Sequence, residues 1–159
     1  LPEGYVPASG AKIMSLAEPT KKMSKSDTNV NAFILMTDDK DAIVRKCKRA
    51  VTDSDGCVRF DRENKPGVSN LMTIYGTFTG KSMDEITAEF EGKGYGDFKT
   101  AVGEAVADHL EPVRTEYARL IADKAYIKEC YTKGAEQATR IAQKTMSKAY
   151  RKVGFVDIR

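Results

Sequence analysis

The spacing of apolar residues changes character near Asp38. Before that point the apolar runs are short. Lys12-Ile13-Met14-Ser15-Leu16 reads as polar and apolar positions in alternation, which predicts a short half-buried strand. The stretch Glu18–Asp27 is polar, basic and rich in small residues, and predicts a loop. Phe33-Ile34-Leu35-Met36 is a second short apolar run whose type the pattern leaves open.

Beyond Asp38 the period becomes helical. Ile43, Val44, Cys47 and Val51 fall on one face, with Asp38 and Asp39 as candidate caps and Asp41 in the first turn. Asp53-Ser54-Asp55-Gly56 breaks this helix, and Cys57–Asp61 reads as a short extended piece. Pro66 suits the first position of a second helix with Val68, Leu71, Met72 and Tyr75 inward and Gly80 at its end. Ser82 and Glu85 form a capping box before Ile86 and Phe90, and Gly92 stops that helix. Phe98, Val102, Val106, Leu110, Val113, Tyr117, Leu120 and Ile121 then mark the longest helix, which Pro112 should kink. Two more helices are expected, over about Asp123–Lys133 and Ala135–Lys152. In the last, Ala138, Ile141, Ala142, Thr145, Met146 and Ala149 face inward, while Arg140, Lys144, Lys148, Arg151 and Lys152 face out. The fold class predicted is mainly α: a helical bundle over 38–159, preceded over 1–37 by a short strand and a loop.

Composition narrows the functional classes. With 159 residues, 41% hydrophobic and 31% charged, the chain can bury a core and is not wholly disordered. No apolar run is long enough to span a bilayer, so no membrane partner is expected. The start lacks a basic and then apolar leader, and it begins at Leu1 rather than Met, which suggests a fragment of a longer chain. Three widely spaced cysteines, Cys47, Cys57 and Cys130, make neither a disulfide framework nor a zinc site, and read as reduced thiols in the cytoplasm. The single histidine, His109, sits at helical spacing from Val106, Leu110 and Val113 and reads as a helix-face residue. No metal site is expected.

Net charge is unevenly distributed. Residues 1–123 carry 17 basic and 20 acidic side chains, whereas residues 124–159 carry 9 and 3. A basic C-terminal segment suits a polyanion, although a solvated helix face would look the same.

One segment carries recognisable chemistry: Lys22-Met23-Ser24-Lys25-Ser26. Two lysines three residues apart, interleaved with hydroxyls in a loop, suit a polyphosphate. Positive charge held near a departing pyrophosphate stabilises the charge that develops as an α-phosphate is attacked.

This segment resembles the KMSKS signature of class I aminoacyl-tRNA synthetases. The resemblance to the bacterial-type tryptophanyl-tRNA synthetases extends through Gly10–Leu16, Pro19-Thr20-Lys21 and Asp27. It continues through Ala50-Val51-Thr52-Asp53-Ser54, Lys65–Leu71, Glu91–Gly96 and Gly134-Ala135. It implies an enzyme that joins tryptophan and ATP into tryptophanyl-adenylate, releases pyrophosphate and passes the amino acid to tRNA(Trp). Lys22 and Lys25 match the lysines that hold the ATP phosphates, with Ser24 and Ser26 beside them. Met23 and Ile13 match adenine-contacting positions. The helices match a tRNA anticodon-recognising domain, with Arg140, Lys144, Lys148 and Arg151 as tRNA-binding candidates. The resemblance also implies a homodimer, and magnesium accompanying ATP. The family's HIGH-type motif is not in this sequence, so the chain reads as a C-terminal part that is inactive by itself. The alternative is a stand-alone helical RNA-binding module without catalytic activity.

Overall fold

Asp39, not Asp38, caps the first helix. In a computed structural model that describes residues 2–7 and 10–155, the Asp39 carboxylate accepts from the Ala42 amide at 2.6 Å and starts α1 (Lys40–Arg49). Asp38 closes the preceding turn instead, accepting from the Leu35 amide at 2.9 Å and from Lys46 at 2.6 Å. Pro66 opens α2 (Pro66–Thr79), and Gly80 ends it in the left-handed conformation at φ 75°. The capping box at α3 (Met83–Glu89) is reciprocal: Glu85 accepts from the Ser82 amide at 2.7 Å while Ser82 Oγ accepts from the Glu85 amide at 3.3 Å. Two long helices follow, α4 (Tyr95–Ala122) and α5 (Lys124–Val153), the latter capped by Asp123 through the Tyr126 amide at 2.9 Å. The suspected truncation at Leu1 lies outside the described residues.

The chain divides into two units, Leu1–Arg114 and Thr115–Arg159. In the first, one apolar core gathers Leu16, Ile43, Cys47, Val58, Leu71, Met72, Ile86, Phe98 and Val102. α2 runs through it, with every residue from Gly67 to Tyr75 buried. Tyr75, Phe90 and Phe98 pack edge to face, with centroids 5.0–6.4 Å apart. Gly67 is required where α2 passes the 51–52 backbone: a Cβ there would lie 2.0 Å from the Val51 carbonyl oxygen. Leu16, from the irregular N-terminal segment, sits in the same core, and its carbonyl accepts from the Val51 amide at 2.8 Å.

The structure departs from the sequence pattern in several places. The strand over 12–16 is reduced to a single antiparallel bridge, Met14 with Lys22, and on its other edge a side chain, Asn70, takes the Met14 N–H and C=O. The 33–36 run is irregular and enters a turn only at Met36, with Phe33 buried and Leu35 and Met36 exposed. Cys57–Asp61 has no ladder partner among the described residues, and Val51 is exposed. In α4 the inward face ends early: Phe98, Val102 and Val106 are buried, but Val113, Tyr117 and Ile121 are exposed. α4 is continuous through Pro112, and the Arg114 guanidinium donates to the Ala107 carbonyl at 2.8 Å in the turn before the proline.

α5 is one helix where two were expected. Gly134 costs it about 1 kcal/mol relative to alanine, too little to break a helix otherwise rich in Ala, Lys, Glu and Gln. Lys133 also pairs with Glu129 one turn back at 2.5 Å. Its supposed inward face does not exist as such: no residue of α5 is buried, and Ile141 is 65% exposed. His109 is an exposed helix-face residue with its ring 5.0 Å from that of Phe78. No helix among the described residues is long and apolar enough to cross a membrane.

Candidate functional site

The lysine-bearing loop grows out of a two-stranded clasp. Ser15 N–H donates to the Lys21 carbonyl at 2.8 Å and Met23 N–H to the Ile13 carbonyl at 3.0 Å, flanking the Met14–Lys22 rung. The connection between the two segments turns at Glu18-Pro19-Thr20-Lys21, closed by Lys21 N–H donating to Glu18 O at 2.9 Å with Pro19 at the favoured second position. Buried Ser15 supports the turn, its Oγ accepting from the amides of Ala17 and Glu18 at 3.3 and 3.1 Å. Beyond Met23 the chain folds on itself: Asp27 N–H donates to Ser24 O at 3.2 Å and Ser26 N–H to Ser24 Oγ at 3.2 Å.

This arrangement sorts the predicted site residues by exposure. Ile13 and Met23 are half-buried, pack against the core and are joined backbone to backbone. Lys22, Ser24, Lys25 and Ser26 are exposed. Lys21 pairs with Glu18 at 2.8 Å, whereas Lys22 and Lys25 form no ion pair among the described residues. The clasp thus fixes the root of the loop in the core and leaves its two ammonium groups and hydroxyls open to an anion. Beside it, a cleft of about 500 Å³ is lined by Lys12, Met14, Thr20, Arg62, Asn70 and Thr73, among others.

A second constellation brings three of the sequence landmarks together. Lys65 of the Lys65–Leu71 landmark is buried, its side chain 3% exposed. Its ammonium donates to Asp53 Oδ1 at 3.0 Å, to the Cys57 carbonyl at 3.2 Å and to Tyr95 Oη at 3.0 Å, and it pairs with Asp55. Tyr95 Oη donates to Asp53 Oδ1 at 2.6 Å. Burial opposes the Lys65 charge, but Asp55, Tyr95 and Asp53 outweigh it and hold the ammonium well above the usual lysine range. Lys65 in turn holds Asp55 well below the usual carboxylate range. Burial pushes Asp53 up, and hydrogen bonds from Tyr95 and Lys65 more than reverse it. Asp53 Oδ2 is buried without a hydrogen-bond partner. Sequence reasoning placed all three residues in motifs without giving them a role. The signal available was a lysine at the cap of an apolar helix, where a polar terminus is ordinary.

The basic residues of α5 are all exposed. Arg140, Lys144, Lys148 and Arg151 recur at intervals of four, four and three, so they share one helix face. Arg140 borders a shallow groove with Tyr131, Thr132, Ala135, Glu136, Thr139 and Gln143. Among the described residues no group of three or more His, Cys, Asp or Glu could hold a metal ion.

The profile of the tRNA synthetases class I (W and Y) matches residues 3–111. The chain is 50% identical over 156 residues to the tryptophan–tRNA ligase of Clostridium acetobutylicum, covering 98% of the chain and 46% of the relative. It is 49% identical over 155 residues to that of Bacillus anthracis, covering 98% and 47%. Its fold is similar to the tryptophanyl-tRNA synthetase of Campylobacter jejuni solved with ADP and tryptophan. The TM-score is 0.74 at 30% identity, over 98% of this chain and 47% of that one. The chain therefore spans about half the length of the curated relatives it matches, and it aligns as their C-terminal part.

Proposed function

The chain belongs to the class I tRNA synthetases of the tryptophan and tyrosine type, and from that premise we propose that it is the C-terminal part of a tryptophan–tRNA ligase. Residues 1–37 supply the edge of the catalytic domain with its phosphate-holding loop, and residues 38–159 the helical tRNA-recognising domain. The observation that carries the reading is the KMSKS segment itself, rooted in the core by the Ile13–Met23 clasp with Lys22 and Lys25 open to solvent.

In the proposed reaction the tryptophan carboxylate attacks the α-phosphate of ATP. A new carboxylate–phosphate bond forms, the bond from the α-phosphorus to the oxygen bridging to the β-phosphate breaks, and pyrophosphate leaves with the electron pair. The nucleophile is already an anion, so no general base is needed. Negative charge grows on the departing pyrophosphate, where Lys22 and Lys25 place two cations and Ser24 and Ser26 add hydroxyl donors. Ile13 and Met23 offer an apolar edge for the adenine. Magnesium would arrive with the nucleotide. The loop offers cations and hydroxyls, not a carboxylate set, so no ligand for the ion is assigned to this segment. Tryptophan recognition and homodimer formation are assigned to the part of the enzyme outside this chain. The enzyme acts in the cytoplasm, and the 159-residue segment by itself is inactive.

The test is tryptophan-dependent ATP–pyrophosphate exchange by the full-length protein. Lys25→Ala is expected to slow adenylate formation about a hundredfold while leaving tryptophan affinity within twofold, because the lysine acts where charge develops. Unchanged single-turnover activation would remove the loop from the mechanism. For tRNA, Arg140, Lys144, Lys148 and Arg151 form the proposed contact face. Each alanine substitution should weaken tRNA binding and lower the salt slope by about one.

A further inference from the structure

Met14 stands opposite Lys22 on the clasp, yet neither of its backbone groups faces that partner. The two bonds across the clasp belong to its neighbours, Ile13 and Ser15. In a sheet, a third strand would take the outward N–H and C=O of Met14. Here one side chain does so. Asn70 Oδ1 accepts from Met14 N–H at 2.8 Å, and Asn70 Nδ2 donates to Met14 O at 2.8 Å. Asn70 is itself only 6% exposed, in the second turn of the buried helix α2. That helix is anchored at its start by Lys65 and by the close passage of Gly67 along Val51.

The chemistry of the pair is selective. A carboxamide offers a coplanar acceptor and donor, as a peptide group does. A carboxylate lacks the donor, and glutamine is one methylene too long for the same register. We propose that Asn70 is a positioning residue for the nucleotide-binding loop: its carboxamide acts as a surrogate strand that fixes Met14, and through the Met14–Lys22 rung fixes where Lys22 and Lys25 enter the triphosphate site. The inference rests on the reading of the 22–26 segment as phosphate-holding. It adds a residue 44 positions beyond that segment, on another element, that controls its placement.

The experiment uses full-length enzyme and measures tryptophanyl-adenylate formation per active site in a single turnover at saturating ATP, together with tryptophan affinity and Tm. Asn70→Asp, nearly isosteric, keeps the acceptor and removes the donor; Asn70→Ala removes both. Both variants are expected to lower the rate per active site about tenfold or more with tryptophan affinity within twofold, since small misplacements of a charge-stabilising group are costly. A merely structural role would lower Tm and the fraction of active sites without changing the rate of each. A rate per site within twofold of wild type for Asn70→Asp overturns the proposal. Amide exchange in the unsubstituted protein decides the case if neither variant folds: Met14 N–H must be protected to the same degree as Met23 N–H, and exchange at loop rates overturns it. Lys25→Ala is the control. If it leaves the rate unchanged, the loop reading fails and takes this inference with it. If it lowers the rate and the Asn70 variants do not, only the inference fails.

Discussion

Residues 2–114 and the helix α5 obey the same local rules and end in opposite conditions. Both contain amphipathic repeats, side-chain caps and left-handed glycine stops. In the first unit the repeats find partners, and Phe98, Leu71, Ile43 and Ile86 are completely buried. In α5 the predicted inward set leaves its large members, Ile141 and Met146, 65% and 44% exposed. Periodicity therefore reports where a helix could bury a face, and only contact decides whether it does. α5 holds its form through propensity, its Asp123 cap and pairs such as Glu129–Lys133, not through a core.

The comparison can be broken most forcefully at Gly67. A Cβ placed 2.0 Å from a backbone oxygen forces α2 away from residues 51–52, so Gly67→Ala should cost about 3 kcal/mol or more in denaturant unfolding. A cost under about 1 kcal/mol would mean that α2 can shift freely. Next is the paired truncation. Leu71→Ala, in the core, should cost about 3 kcal/mol, whereas Ile141→Ala in α5 should stay within about 0.5 kcal/mol. Equal costs would show that α5 is packed.

The third prediction concerns pH. Asp53 and Asp55 are held below the usual carboxylate range in the folded state, so their contribution is complete above the ordinary value, about 4, and is lost as pH falls toward the folded values. Lys65 is held above the usual lysine range, so its contribution is complete below its ordinary value of 10.5. The Tm difference between wild type and Lys65→Met should therefore be flat between about pH 4 and 10 and narrow below that window. A difference that grows on acidification would refute the assigned pairing. The smallest effect is expected at Gly134, where a Cβ would meet nothing within 4 Å. Gly134→Ala should stabilise α5 by about 0.5–1 kcal/mol in a thermal melt followed by helical circular dichroism.

Much of this was legible in residue order. The start of α2 at Pro66, its stop at Gly80, the Ser82–Glu85 box and the inward set Val68, Leu71, Met72 and Tyr75 all follow from local chemistry. So did membership of the class I tRNA synthetases of the tryptophan and tyrosine type, because the loop signature and its flanking motifs are contiguous strings. The failures have physical causes as well. The 12–16 alternation was real, but pairing across the clasp stops at the Met14–Lys22 rung, and Asn70 takes the outward backbone groups of Met14. Gly134 looked like a break because it weakens a helix, yet its penalty did not exceed what the flanking turns supply.

By itself, the sequence determined the start and stop of α2, the capping box of α3 and the lysine-bearing string 22–26, since these depend on residues within about one or two turns of each other. Tertiary structure alone decided that Asn70 closes on Met14 across 56 positions, and that Asp53, Lys65 and Tyr95 share one buried charge cluster. It alone decided, too, that α5 buries nothing. Those outcomes turn on which distant surfaces meet and exclude water, and spacing along a chain carries no record of that.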